Sequence, residues 1–181
     1  MNKKPNQEAR RLLKSAQITN PPVKVDKIAE KLKAKLTFEP FEGEDDISGI
    51  LFRDGKQTVI GINSSHSNVR QRFTIAHEIG HLVLHDGELF IDQAVRVNFR
   101  DKRSGQAINL QEIEANKFAA ELLMPDAMIR DQIAKRIVKK KIATESSLIS
   151  ELARIFEVSE QAMGFRLFNL GIISSPADDQ R

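Results

Sequence analysis

The chain has 181 residues, 40% of them apolar, enough for one domain core, and its 28 basic against 25 acidic residues leave a net charge of only +3, too small to argue for nucleic acid by itself. It contains no Cys and no Tyr, which excludes a disulfide scaffold, a thiol nucleophile, a Cys-ligated metal and any mechanism that needs a phenol. No apolar run approaches the roughly 20 residues of a membrane span, and no secretory segment follows the charged start Met1-Asn2-Lys3-Lys4-Pro5, so a cytoplasmic, reducing compartment without a membrane partner is expected.

Over residues 3–35, Ala9, Leu12, Leu13 and Ala16, and then Ile28, Ala29 and Leu32, recur at helical spacing on either side of the break Asn20-Pro21-Pro22. Leu36-Thr37-Phe38 reads as a strand, followed by an acidic loop over 42–46. Two further strands over 48–53 and 56–62 are joined by Asp54-Gly55, a hairpin signal in which both turn residues are expected at positive φ. The polar cluster over 64–68 supplies N-caps for an amphipathic helix over 69–85, with Gly87 as its stop. A short strand is predicted over 94–99. Asn109 is expected to cap a second strong helix over 110–124, ended by Pro125, and three helices follow over 127–141, 146–156 and 160–170.

The first strong helix carries His77-Glu78-Ile79-Gly80-His81. Residues four apart on a helix differ by about 40° in direction, so His77 and His81 present their rings on one face, as two imidazole ligands of a tetrahedral Zn²⁺ require. Glu78, turned about 100° from His77, stands beside such an ion rather than on it, where a carboxylate acts as general base. Phe73, Ala76, Ile79, Leu82 and Val83 already provide an apolar stripe, so the histidines are not needed to fill a core.

A catalytic ion needs a third protein ligand and an open position. Three rings rising along one stripe would span about 12 Å of helix axis, so His85 reads as a last-turn cation favoured by the helix dipole. The second helix offers Glu112 and Glu114. Glu112 is preferred because Asn116, four residues on, shares its face and can serve a ligand as hydrogen-bond partner, while Ile113, Phe118, Leu122 and Leu123 pack on the first helix. Two plainer roles compete: Glu112 as capping-box partner of Asn109, and Glu114 as a solvated helix glutamate.

These residues resemble the ImmA/IrrE group of metallo-endopeptidases. The likeness runs through Ser48-Gly49-Ile50-Leu51, Ile62-Asn63, the segment from Arg70 to His85, the segment from Glu112 to Pro125, and the helical end around Leu152-Ala153 and Phe156-Glu157-Val158-Ser159. It implies an α+β, zincin-like fold in which a short twisted sheet packs against the His-Glu-x-x-His helix and a second ligand helix, followed by a C-terminal helical segment. The expected division is a peptidase core over 1–125, a helical subdomain over 126–173 and a flexible tail over 174–181. The resemblance also implies one Zn²⁺ held by His77, His81 and Glu112, Glu78 as base, and a helix-turn-helix transcriptional repressor as substrate. Since the chain has no Tyr, candidates to steady the oxyanion are His66, Arg96 and Arg100. An extended substrate is expected to pair along the outer hairpin strand, 56–62.

Two rival readings remain. One is a zinc-containing sensor or repressor-binding module without turnover. The other is direct DNA binding through the C-terminal helices, whose spacing is that of a helix-turn-helix, with Lys139-Lys140-Lys141 and Arg166 as positive charge. Against the second, Phe165, Leu167 and Phe168 read as packing residues, and Glu151, Glu157 and Glu160 dilute the field.

Overall fold

Proline opens the first helix and closes the loop after it. In the computed structural model, which describes residues 4–42, 46–93, 106–138 and 144–174, α1 (Pro5–Ser15) starts on a proline whose missing N–H would be unpaired there anyway. Beyond Pro21 and Pro22 lies α2 (Val25–Lys31). Ala9 and Leu13 of α1 and Val25, Ile28 and Ala29 of α2 enter the core.

Three strands follow: β1 (Ala34–Glu39), β2 (Ile47–Arg53) and β3 (Thr58–Asn63). The hairpin forms where Asp54-Gly55 placed it, but only Gly55 takes a positive φ, at 81°. Asp54 instead accepts the backbone N–H groups of Lys56 and Gln57 on its carboxylate, at 2.9 and 3.0 Å, an Asx-type turn that removes the need for a second left-handed residue. With β4 (Leu89–Gln93) the strands order as β1-β3-β2-β4; β1 runs parallel to β3 and the other pairs are antiparallel. This corrects the expected substrate strand. The strand that forms there, β3, begins at Thr58 and is bonded on both sides, because β1 returns in parallel beside it, and a hairpin signal says nothing of a partner distant in sequence. Among the described residues the sheet edges are β1 and β4. The predicted strand over 94–99 lies outside the described residues.

Leu36, Ile60, Leu51 and Phe90 form one cross-strand row on the face that receives α3 (Asn68–Leu84). This helix ends before Gly87. His85 is an extended C-cap, and Arg53 of β2 supplies the missing donors: its guanidinium hydrogen-bonds the carbonyls of Leu82 (3.2 Å), His85 and Gly87. A cation from the sheet thus does what the sequence reading gave to glycine.

α4 (Gln106–Leu123) packs on the other side of α3, with α1 against α4. It begins before Asn109, so Asn109 is an internal residue and the capping-box role for Glu112 falls away. Phe118, Ala119, Leu122 and Leu123 are fully buried, whereas Ile113, expected in the same packing face, is 41% exposed. Burying each large side chain of this set contributes about 1.5–3 kcal/mol. The chain ends in α5 (Asp126–Val138), α6 (Glu145–Phe156) and α7 (Glu160–Asn169). Thr144 and Ser147 cap α6 reciprocally and Ser159 caps α7. The result is the α+β, zincin-like arrangement implied by the sequence, with α3 held between the sheet and α4. No helix among the described residues is long and apolar enough to cross a membrane.

Candidate metal centre

Two helices build the site, and glycine sets their distance. A Cβ on Gly80 of α3 would lie 3.1 Å from Ala115 Cα and 3.2 Å from Phe118 Cδ1, so α4 approaches closer than any other residue at this position would allow without displacement. That approach brings Glu112 to the histidine face. His77 Nε2 and His81 Nε2 are 3.0 Å apart, and each is 3.2 Å from one oxygen of Glu112. His77 and His81 are 1% exposed, and the side chain of Glu112 retains 28% although its Oε2, the oxygen that faces His77, is buried.

The donor set suits a divalent ion. Ligand atoms about 2.0–2.1 Å from a tetrahedral Zn²⁺ stand about 3.4 Å from one another, close to the observed separations. The hydrogen bonds point the same way. His77 Nδ1 lies 3.1 Å from Asn116 Oδ1, which can only accept; the neutral ring therefore carries its proton on Nδ1 and turns a bare Nε2 lone pair toward the cluster. Bare Nε2 and carboxylate oxygens packed this closely repel unless a cation lies among them. Burial is the largest influence on His81 and holds its pKa below the usual imidazole value, keeping the ring neutral. For Glu112 burial pushes upward, but when no ion is bound and His77 and His81 turn protonated Nε2 groups toward it, their hydrogen bonds and charges outweigh burial and bring its pKa down to about 2.

Glu78 is fully buried and turns toward β2. A Cβ on Gly49 would meet its Oε1 at 2.8 Å and Thr74 Cγ2 at 2.4 Å, so the strand must carry glycine for the helix and its carboxylate to sit where they do. Glu114 stands apart from the cluster, 3.0 Å from His85 Nε2, and His85 Nδ1 lies 3.1 Å from His81 Nδ1. The sequence reading of His85 as a dipole-stabilising cation is thus corrected: the ring is buried and bonded at both nitrogens within 3.1 Å. The His-x-x-x-His-x-x-x-His spacing was the signal, but its partner Glu114 comes from another helix.

Of the other predicted residues, His66 sits at the head of α3, where Gln71 donates to its carbonyl, and it is not part of the three-residue cluster. Nine residues of helical rise, about 14 Å, separate the start of α3 at Asn68 from His77. Arg96 and Arg100 lie outside the described residues, as do Lys139, Lys140 and Lys141. Arg166, counted above as charge for DNA, is buried and committed to Glu121 and to the carbonyl of Met124 at 3.0 Å. Leu167 is buried as expected, but Phe168 is 44% exposed.

A zincin-like sheet and helix pair that converge two imidazoles and a carboxylate define the class: a metallopeptidase-like domain with a candidate mononuclear metal site. Comparison with known proteins gives the family. A model of the peptidase family described as the IrrE N-terminal-like domain matches residues 29–168, and the chain belongs to that family. It is 34% identical over 115 residues to the radiation response metalloprotease IrrE of Deinococcus radiodurans, covering 63% of this chain and 32% of that protein. It is 36% identical over 125 residues to its namesake in Deinococcus deserti, covering 68% and 39%. An uncharacterized immunity region protein 2 of Bacillus phage phi105 is 29% identical over 121 residues, covering 67% of this chain and 72% of that protein. The matched stretches thus span only about a third of the Deinococcus proteins. Among solved structures, a Mycobacterium tuberculosis transcriptional regulator shares the fold with a TM-score of 0.56 at 15% identity, over 97% of this chain and 48% of that one.

Proposed function

We propose that the protein is a zinc-dependent endopeptidase that cleaves a peptide bond in a protein substrate, a helix-turn-helix transcriptional repressor, and so relieves repression. The observation that carries this reading is the convergence of His77, His81 and Glu112, with Glu78 buried next to His77 in the same helix. Two imidazoles and a carboxylate suit zinc, with a fourth position left for substrate. The named function of the Deinococcus relatives supports peptide hydrolysis, and the phage relative's name supports a repressor-related role.

His77 and His81, through Nε2, and Glu112, through its carboxylate, would hold the ion, while Asn116 holds the His77 tautomer. The bound ion supplies Lewis acidity to the water and to the scissile carbonyl. Glu78 takes the proton of the attacking water and passes it to the leaving amine. The substrate pairs as an extended strand along β4, the sheet edge whose Phe90 ring lies 4.7 Å from the His81 ring, rather than along β3.

The test is cleavage of a cognate repressor by purified protein with and without chelator, alongside Glu78→Gln. Zinc content equal to wild type with cleavage abolished in that variant is the expected result. Cleavage by E78Q at the wild-type rate overturns the mechanism. A wild-type protein that holds zinc and binds the repressor without cutting it replaces the enzyme with a binding module.

A further inference from the structure

His77 and His81 are steadied in different ways. Asn116 Oδ1 takes the proton of His77 Nδ1 directly, at 3.1 Å, as a side-chain oxygen commonly does for a metal-binding histidine. Among the described residues no oxygen lies at Nδ1 of His81. It meets another imidazole, His85 Nδ1, at 3.1 Å, and the far nitrogen of that ring, Nε2, lies 3.0 Å from Glu114 Oε2.

Two nitrogens can share a hydrogen bond only if one carries the proton and the other the lone pair. Glu114 as a carboxylate is acceptor only, so His85 donates to it from Nε2, and a His85 ring with that single proton has a bare Nδ1. A bare His85 Nδ1 must accept, so His81 donates from Nδ1 and its own Nε2 is left without a proton, facing Glu112 and His77. The direction of every proton in the row is set by the acidic end. His85 is buried, and its ring is also flanked by Phe90 at 6.3 Å, so the row is sheltered from water that would offer His85 other partners.

We propose that His85 and Glu114 are a positioning pair: Glu114 fixes the tautomer of His85, and His85 fixes the tautomer and orientation of His81 so that its Nε2 is presented to the metal. This rests on the metal-site reading above and adds to it two residues that touch neither ion nor substrate. It also gives α4 a second hold on the site, because Glu112 meets Nε2 of His81 directly and Glu114, on the same helix, reaches its Nδ1 through His85.

The test measures zinc affinity of the full chain by competition with a chromophoric chelator, independently of any cleavage. His85→Phe keeps a ring and removes the acceptor, and weakens zinc binding about 10–100-fold. His85→Asn places Oδ1 where Nδ1 stood and restores most of that loss. Glu114→Leu weakens binding as H85F does, whereas Glu114→Gln keeps an acceptor oxygen for His85 and stays near wild type. An H85F protein that binds zinc as tightly as wild type overturns the proposal, and so does H85N binding as weakly as H85F. Should H85F fail to fold, nitrogen-15 spectra of the wild-type rings decide: a protonated Nε2 with a bare Nδ1 on His85 supports the row, and a proton on His85 Nδ1 overturns it. Wild-type protein that takes up no zinc, or H77A that takes it up unchanged, overturns the metal-site reading beneath. That failure is distinct from one in which only the His85 variants are silent.

Discussion

Gly80 lies against the backbone of Ala115, so close that a Cβ added to it would stand 3.1 Å from Ala115 Cα and 3.2 Å from Ala115 O. Glu112 is carried on the same helix, one turn before Ala115, and reaches His77 and His81 only because α4 comes this near. Gly80→Ala sets two effects against each other. Alanine in a helix interior gains about 1 kcal/mol over glycine, while overpacking against a neighbour costs about 1–3 kcal/mol. The neighbour here is helix backbone rather than the loose end of a side chain, so the overpacking wins. The variant is expected to lose about 1 kcal/mol of stability and to bind zinc more weakly, because α4 and Glu112 move outward. Denaturant midpoints and chelator competition on the same sample check this; a stabilised variant with unchanged zinc affinity would show that α4 yields freely.

Gly49 does on the sheet side what Gly80 does on the helix side, but it acts on Glu78. With a Cβ 2.8 Å from Glu78 Oε1 and 2.4 Å from Thr74 Cγ2, Gly49→Ala forces the carboxylate, the helix or the strand to shift. The atoms nearest that Cβ belong to Thr74 and Glu78, not to His77, His81 or Glu112, so zinc binding is expected to survive. Misplacing a general base by about 1 Å costs about 100-fold in rate. The expected pattern is thus a normal zinc titration with about 100-fold slower cleavage. Loss of both together would place the effect in the fold rather than at Glu78.

Much of this site was legible because it is local. His77, Glu78 and His81 lie within a single helical turn of one another, and the Glu112–Asn116 spacing fixes a shared face without knowledge of the partner helix. The hairpin was legible for the same reason. What escaped was non-local. Nothing in residues 56–62 says that β1 will pair with them in parallel, and this takes β3 off the edge of the sheet, leaving β1 and β4 as the edges among the described residues. Arg53 gives no sign in sequence that it will close the end of α3, a helix more than 20 residues away at its capped carbonyls. His85 was misread because its four-residue spacing is shared by a ligand, a dipole-favoured cation and a ring-to-ring relay, and only Glu114, 29 residues on, separates them. Gly49 was quoted for its resemblance to a family, whereas its physical reason is a carboxylate on another element.

Glu121 ties the far half of α4 to both ends of the chain. Its side chain is 1% exposed and bonds Arg10 of α1 at 2.6 Å and Arg166 of α7. The two arginines are unequal: Arg10 is 58% exposed, where an ion pair contributes about 0–1 kcal/mol, while Arg166 is 9% exposed and would be left as an uncompensated buried charge. Glu121→Ala is therefore expected to destabilise by about 3–5 kcal/mol, and Arg10→Ala by less than about 1 kcal/mol. Thermal unfolding of the two variants checks the ranking, and similar losses in both would show that Arg166 finds another partner.

The pH dependence of the metal-free protein follows from Glu112. Its pKa falls from 4.5 to about 2 because hydrogen bonds to His77 and His81 outweigh the opposing effect of burial. A carboxylate whose folded pKa lies below its unfolded value binds fewer protons in the folded state, so it adds stability that is complete above the unfolded pKa and is lost as pH falls toward the folded one. For Glu112 that window runs from 4.5 down to about 2. Glu112→Gln cannot follow it. Chelator-treated E112Q is expected to be less stable than wild type above about pH 5 and to approach it near about pH 3, as wild type loses the contribution the variant never had. Urea midpoints of both proteins at the two pH values measure this. A gap that stays constant between them would mean that Glu112 is not held in its ionised form by the paired histidines.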